Sequence, residues 1–515
     1  MRLPPWYLTF PVFAIGLVML LPLGYLLLKA CSASPTEILI SVVNQRNLKL
    51  FFNTLVLGLA VVIFSTLIAS PMAWLTTNSD LKFKALFTLA GVLPLAVPGY
   101  VTAYALLSLT GFQGQQVLGV NLPNLSGFLG AWIALTFSTF PYLFLNLRSA
   151  MFGVNPALTD SARSLGYSEW ETAWYVVFPQ LRPAFLAGGL LVFLHVLGDF
   201  GVVSLMRYET FSYALFSQYM AAFDRTYAAW LALILIAFTC VLLVLEMRVL
   251  SKNQYRQAGK MQIQPVVPTP LGNWKWIAYP ILTSVVFVSV VVPTLTVLFW
   301  SSRGFNISIL TELAEVILQS ASVSIIAAIS ATLAALLIAY TSIRYPSTFS
   351  NIFERLSYIG YAMPPLAFAL AWIFLSLHGF SLIYQTFWLL IVAYVLHFLA
   401  EAIGPMRSAL LQIPNHLEEA ARSLGSSPLA AFLLTTFPLL RNGLIVSFAF
   451  VFLATMKELP ITSLLSPIGF DTLALRLWSY AEEAMFVEAA PYALALMVVS
   501  LLFVSTILFK ESEVA

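Results

Sequence analysis

Two acidic residues in apolar surroundings carry the clearest chemistry in this sequence. Asp199 lies in Gly198-Asp-Phe-Gly-Val-Val-Ser-Leu205 and Glu458 in Lys457-Glu-Leu-Pro-Ile-Thr-Ser-Leu464, stretches that correspond at an offset of 259 residues. A carboxylate within a hydrophobic span is costly unless it faces an interior path or a partner. Two of them related by a repeat are candidates to line a passage, and carboxylate oxygen suits a hard cation. The competing reading puts both at helix ends in structural ion pairs, with Lys457 beside Glu458 as the base. His195 aligns with Ala454 and has no repeat partner, so simple packing is expected of it. His195, His378, His397 and His416 show no zinc-like spacing, and Cys31 and Cys240 frame neither a disulfide nor a thiolate site.

A second constellation occurs twice. Asp160-Ser-Ala-Arg-Ser-Leu-Gly166 and Glu419-Ala-Ala-Arg-Ser-Leu-Gly425 are each followed, after eleven intervening residues, by Phe-Pro, at Phe178-Pro179 and Phe437-Pro438. From Arg148 to Arg182 the ungapped match to the second copy is 14 identities in 35 positions. In the second copy Asn415-His-Leu-Glu418 reads as an N-cap with a carboxylate three residues on, and Gly425 as a left-handed helix end. Ser427-Pro428 then caps a second short helix, and Ser168-Glu-Trp-Glu171 supplies a capping box at the equivalent place of the first copy. Each copy is expected to be a rigid helix-glycine-helix elbow.

The elements that must position these groups are membrane helices. Of the 515 residues 60% are hydrophobic and 9% charged, with a mean hydropathy of +0.91, which excludes a water-soluble globular domain. An alternating strand pattern is missing, so a barrel is excluded as well. Twelve apolar stretches long enough to cross a bilayer lie near 7–28, 52–75, 86–109, 128–147, 183–206, 228–247, 276–300, 317–340, 356–377, 382–403, 442–465 and 488–509. The first is too long for a signal peptide and reads as a retained span. Early in the halves the best offset is 266, aligning Thr66-Leu67 with Thr332-Leu333. The expected architecture is all-α: two tandem six-span units with a parallel pseudo-twofold axis. The first unit is 1–250 with its loop at 155–180, the linker is 251–275, and the second unit is 276–515 with its loop at 414–438. With a cytoplasmic N-terminus, 17 of the 25 basic residues fall on the cytoplasmic side, so both termini, the linker and both elbows are expected there.

The paired loops resemble the E-A-A loops of permease subunits of ABC importers, and the resemblance covers nearly the whole chain. It implies that each elbow is a coupling helix docking in a cleft of an ATPase subunit. Asp160, Ala162, Arg163 and Gly166 would serve in the first loop, and Glu419, Ala420, Ala421, Arg422 and Gly425 in the second. The glycine permits the turn, the alanines a close approach, and the acid a pair with a base on the ATPase. The first loop departs from the family pattern with Asp for Glu and Ser for Ala. This sequence has no G-x-x-x-x-G-K-[ST] phosphate loop, so the resemblance implies two separate cytoplasmic ATPase subunits and no catalytic residue in this chain.

The Asp199 and Glu458 stretches, with Gly469-Phe-Asp-Thr-Leu-Ala474, look like the fused permeases of ferric-iron importers. That implies a bacterial inner-membrane protein served by a periplasmic solute-binding protein, with Fe3+ passing Asp199 and Glu458, no permanently bound cofactor and no nucleic acid. Thiamine and phosphonate permeases share the layout, and a twelve-span secondary transporter remains a different class with the same span count. The topology is testable: a reporter within 251–274 is expected to label from the cytoplasm and one near Asn121 from outside. An external linker would carry the elbows out of reach of any ATPase.

Overall fold

The computed structural model describes residues 5–32, 44–110, 114–115, 119, 122–154, 156–221, 225–254, 268–304 and 307–514. Most of the expected linker, and Asn121, lie outside them. Nine described helices are long and apolar enough to cross a membrane, and three bent pairs raise the count to twelve if each pair is one span. All twelve expected stretches fall on these elements. Among the described residues the only β-pairing is an isolated parallel bridge between Ser79 and Thr269.

Four of the expected spans are not continuous. The third is Lys84–Ala96 followed by Gly99–Leu109 at 91°, and the ninth is Thr348–Ala362 followed by Pro365–Gly379 at 104°. Proline causes both corners. Val97 before Pro98 has φ −96° and ψ 117°, and Met363 before Pro364 has φ −82° and ψ 133°, because the proline ring excludes the helical region for the residue ahead of it. The fifth and eleventh spans, expected at 183–206 and 442–465, end instead at Gly198 and Met456. After each break a short helix resumes, Gly201–Leu205 and Pro460–Leu465.

Within each half the second, fourth and fifth spans pack together. Gln45–Asn78 lies on Gly127–Phe152, which meets Phe178–Gly198, and Ile307–Arg344 lies on Phe387–Gln412, which meets Arg441–Met456. Small residues set the approach of these helices. A Cβ on Gly188 would come within 2.5 Å of Leu143, and one on Gly443 within 2.5 Å of the Ala409 Cβ. Ser447 also donates to the Ala402 carbonyl at 2.8 Å. The halves interlock through their first spans. Trp6–Ala30 packs on Pro365–Gly379 of the other half, and Val292–Arg303 packs reciprocally on Gly99–Leu109.

The end of the linker is stapled back to the first half. Thr269 exchanges backbone bonds with Asn78 and Asp80 at 2.7 and 3.1 Å, and the Asp80 carboxylate accepts from Leu271 N–H at 3.0 Å and Lys275 Nζ at 2.7 Å. The hydrogen bond from Lys275 holds the Asp80 carboxyl below its usual pKa.

Gly443→Val is expected to lower the thermal midpoint by overpacking the contact with Ala409, at a cost of about 1–3 kcal/mol. Gly24→Val, where a Cβ meets nothing within 4 Å and no proline follows, is the control and should not lower the melt.

Candidate functional site

The interrupted spans meet at one place. Their second segments begin at Gly99, Pro365, Gly201 and Pro460, and residues around all four starts line a cavity of about 430 Å³ between the two halves. The sequence-predicted acids both lie here. Asp199 Oδ1 accepts from the N–H groups of Val202 at 2.9 Å and Val203 at 3.4 Å, and Glu458 Oε1 accepts from Ile461 N–H at 2.9 Å. Each carboxylate thus satisfies free N–H groups at the start of a short helix, where the positive end of the helix dipole favours it. Both sequence readings hold a part of this: the acids are at helix ends and they line a cavity. The expected ion pair does not form. Lys457 Nζ donates instead to the Leu95 carbonyl at 3.0 Å, and its own carbonyl accepts from Tyr100 Oη at 3.1 Å.

Sequence reasoning missed a third acid. Glu401, within Phe387–Gln412, lines the same cavity and interacts electrostatically with Lys457. Its repeat counterpart is Tyr142, so self-comparison hides it, and placing it at the end of a span disguised an ionisable residue deep in an apolar helix. Tyr100, Tyr142, Tyr358 and Tyr361 also line it. His195 is not the packed residue expected: it is exposed to the cavity, 5.4 Å ring to ring from Tyr142. His397 joins it on the wall, with its Nδ1 buried and unpartnered. No three His, Cys, Asp or Glu side chains among the described residues group to hold a metal ion.

The two loops fold as elbows. Pro156–Ser164 and His416–Ser423 each end in a Schellman turn, with Gly166 at φ +90° and Gly425 at φ +93°. Gly166 N–H bonds Arg163 O at 3.0 Å and Tyr167 N–H bonds Ala162 O at 3.1 Å; Gly425 to Arg422 and Ser426 to Ala421 repeat these two distances. The Ser168–Glu171 capping box forms, and Ser427 accepts from Ala430 N–H at 3.3 Å with Pro428 at the first helical position. A π-helical turn, Ala173–Val177 or Phe432–Thr436, then leads into each span. Asp160, Arg163, Gly166, Glu419, Ala420, Arg422 and Gly425 are exposed, Ala421 is half-buried and Ala162 is buried. Asp160 lies 3.5 Å from its own Arg163, which also reaches Glu169 at 2.8 Å across the glycine. Asn415 is not the expected N-cap. Its backbone is already helical and its side chain makes no cap bond, because Oδ1 accepts from Arg344.

Residues 66–254 and 331–511 each match the family of binding-protein-dependent transport system inner membrane components. The chain belongs to this family. It is a multi-pass permease of an ABC importer, a transport subunit built from two such domains in tandem. Over 504 residues, 97% of each chain, the permease is 31% identical to the Fe(3+)-transport system permease protein FbpB 2 of Haemophilus influenzae. It is 23% identical over 480 residues to the ferric transport system permease protein FbpB of Actinobacillus pleuropneumoniae, covering 87% of this chain and 69% of that one. The sulfate transport system permease protein CysT of Escherichia coli matches at 27% over 236 residues, which is 44% of the permease and 85% of CysT.

The permease's elbows depend on their two positive-φ glycines. Gly425→Val or Gly166→Val forces a branched side chain into the left-handed region, at about 1–2 kcal/mol. Limited trypsin digestion of the purified protein is expected to cleave beside the altered glycine, after Arg422 or Arg163, roughly tenfold faster, since cleavage follows the population of the opened loop. An unchanged rate would mean that the turn does not need glycine.

Proposed function

We propose that this permease forms the translocation path for ferric iron, delivered by a periplasmic solute-binding protein and driven by two cytoplasmic ATPase subunits. The single observation that carries the substrate is the cavity wall. Asp199, Glu401 and Glu458 stand there against one lysine and no arginine, with four tyrosines on the same wall. A hard trivalent cation favours such oxygen donors. An oxyanion such as sulfate meets three carboxylates and one counter-charge. Relatives named as ferric permeases, one of them matched along 97% of its length, support the same reading.

In this reading Asp199 and Glu458 are contacts on the path, each with one carboxylate oxygen committed to a helix N-terminus and the other turned to cargo. Iron is substrate and not a resident cofactor. The elbows dock on the ATPase through Asp160, Ala162, Arg163 and Gly166 in the first loop, and through Glu419, Ala420, Ala421, Arg422 and Gly425 in the second. Both termini and the 251–275 linker are cytoplasmic, joining units at 1–250 and 276–515.

The test is the double variant Asp199→Asn with Glu458→Gln. Asparagine is as good an N-cap as aspartate and glutamine keeps the Glu458 acceptor oxygen, so folding is expected to survive. Uptake of labelled ferric iron per folded molecule should fall roughly tenfold or more, corresponding to about 1.4 kcal/mol on the barrier. Binding of the ATPase should be unaffected. Normal flux per folded molecule in the double variant would remove these acids from the path.

A further inference from the structure

The two elbows are attached to the membrane helices in different ways. In the second, Glu418, the residue ahead of the repeated motif, turns inward. Its Oε2 accepts from Tyr340 Oη at 2.7 Å, and its Oε1 accepts from Thr436 Oγ1 and lies 3.6 Å from Arg344 Nε. The side chains of Glu418 and Arg344 are 13% and 6% exposed. Arg344 also donates to the Ile413 carbonyl at 3.1 Å and to Asn415. One carboxylate therefore ties together the coupling helix His416–Ser423, the π turn Phe432–Thr436 and the end of the span Ile307–Arg344. That span packs on Phe387–Gln412, which carries Glu401, and on Arg441–Met456, which leads into Lys457 and Glu458.

The first half does not repeat this charge pair. At the repeat offsets Glu418 corresponds to Thr159, Thr436 to Val177, Tyr340 to Trp74 and Arg344 to Asn78, a set without formal charge. Its elbow is clipped on itself by the exposed pair of Arg163 and Glu169.

We propose that Glu418 is a positioning residue that transmits movement of the second coupling helix to the cavity wall, so that the two elbows do unequal work. The proposal rests on the coupling reading above. A largely buried carboxylate on the coupling helix with partners on two other elements, Tyr340 and Arg344 on one span and Thr436 on the π turn, moves them as one body, since separating them breaks an ion pair and its hydrogen bonds in a poorly solvated place. The corresponding positions of the first elbow carry no charge, so its movement breaks no ion pair of this kind.

The test uses the full-length permease with its purified ATPase, Cys31 and Cys240 replaced by serine, and a reporter cysteine at the cavity residue Ala454. The readout is the change in thiol labelling rate when ATP and vanadate trap the complex, which needs no transported substrate. Glu418→Gln is expected to shrink that change ~5-fold or more, the scale of a coupling free energy, with ATPase affinity held within about twofold. Tyr340→Phe, which keeps the charge pair, should give an intermediate loss, and Thr159→Val none. If Glu418→Gln or Tyr340→Phe keeps the full nucleotide-dependent change, or loses it only in proportion to folded protein or ATPase affinity, the proposal is overturned. A wild-type chain that binds no ATPase overturns the coupling reading itself, and is distinguished by failing before any substitution is made.

Discussion

Four spans are interrupted inside the helical bundle, and every interruption leaves backbone N–H groups that hydrocarbon does not satisfy. Much of the centre of the permease follows from how these ends are answered. Two segments restart at Gly201 and Pro460, where Asp199 and Glu458 accept the free N–H groups ahead of the helix. The other two restart at Gly99 and Pro365, directly after Pro98 and Pro364. Proline at a first helical position, as at Pro365 and Pro460, has no N–H to satisfy. Non-helical backbone of this kind is tolerated in a membrane where it lines a protected space, and the cavity is that space.

The same constraint explains the mixed chemistry of the acids. A carboxylate placed only for stability would be expected deep in packing, and one placed only for cargo would be expected without a backbone commitment. Asp199 and Glu458 each commit one oxygen to a helix end while lining the cavity, so one residue both caps a helix and meets the open space. Glu401 is different in kind. It sits in the interior of a continuous helix, with no helix end to cap, and interacts electrostatically with Lys457 on the same cavity wall.

Duplication sets the frame, and divergence has altered its polar joints. The Schellman turns at Gly166 and Gly425 share their bonds and nearly their φ angles, because the backbone geometry of a sharp turn admits few substitutes. The attachments of the elbows have changed. Glu354 pairs with Arg407, whereas Thr88 and Arg148 stand at the corresponding places of the first half, with Arg148 stacked over Phe152 at 5.0 Å. Together with the Glu418 hub, this gives the second half charge pairs that the corresponding positions of the first half do not repeat.

Much of this was legible in the residues alone, for a physical reason in each case. Apolar run length marked twelve candidate crossings, the upper end of the nine to twelve that the helices allow, because a bilayer of fixed thickness reads only length and polarity. The repeated Ala-Arg-Ser-Leu-Gly specified two elbows, since a left-handed helix end needs glycine at one position and local bonds around it. The Ser168–Glu171 box and the Ser427 cap involve partners three residues apart and were equally visible. Asn415 failed as a cap because a distant arginine, Arg344, outcompeted its local N–H groups. The corners at Pro98 and Pro364 were hidden in runs that look continuously apolar, because composition does not say whether a proline kinks a helix or ends it. Which acids share a cavity, that Lys457 turns to Leu95 instead of Glu458, and that Glu418 anchors an elbow were decided only in the tertiary structure. Each depends on side chains brought together from elements far apart in the chain, and no spacing within one helix encodes that meeting.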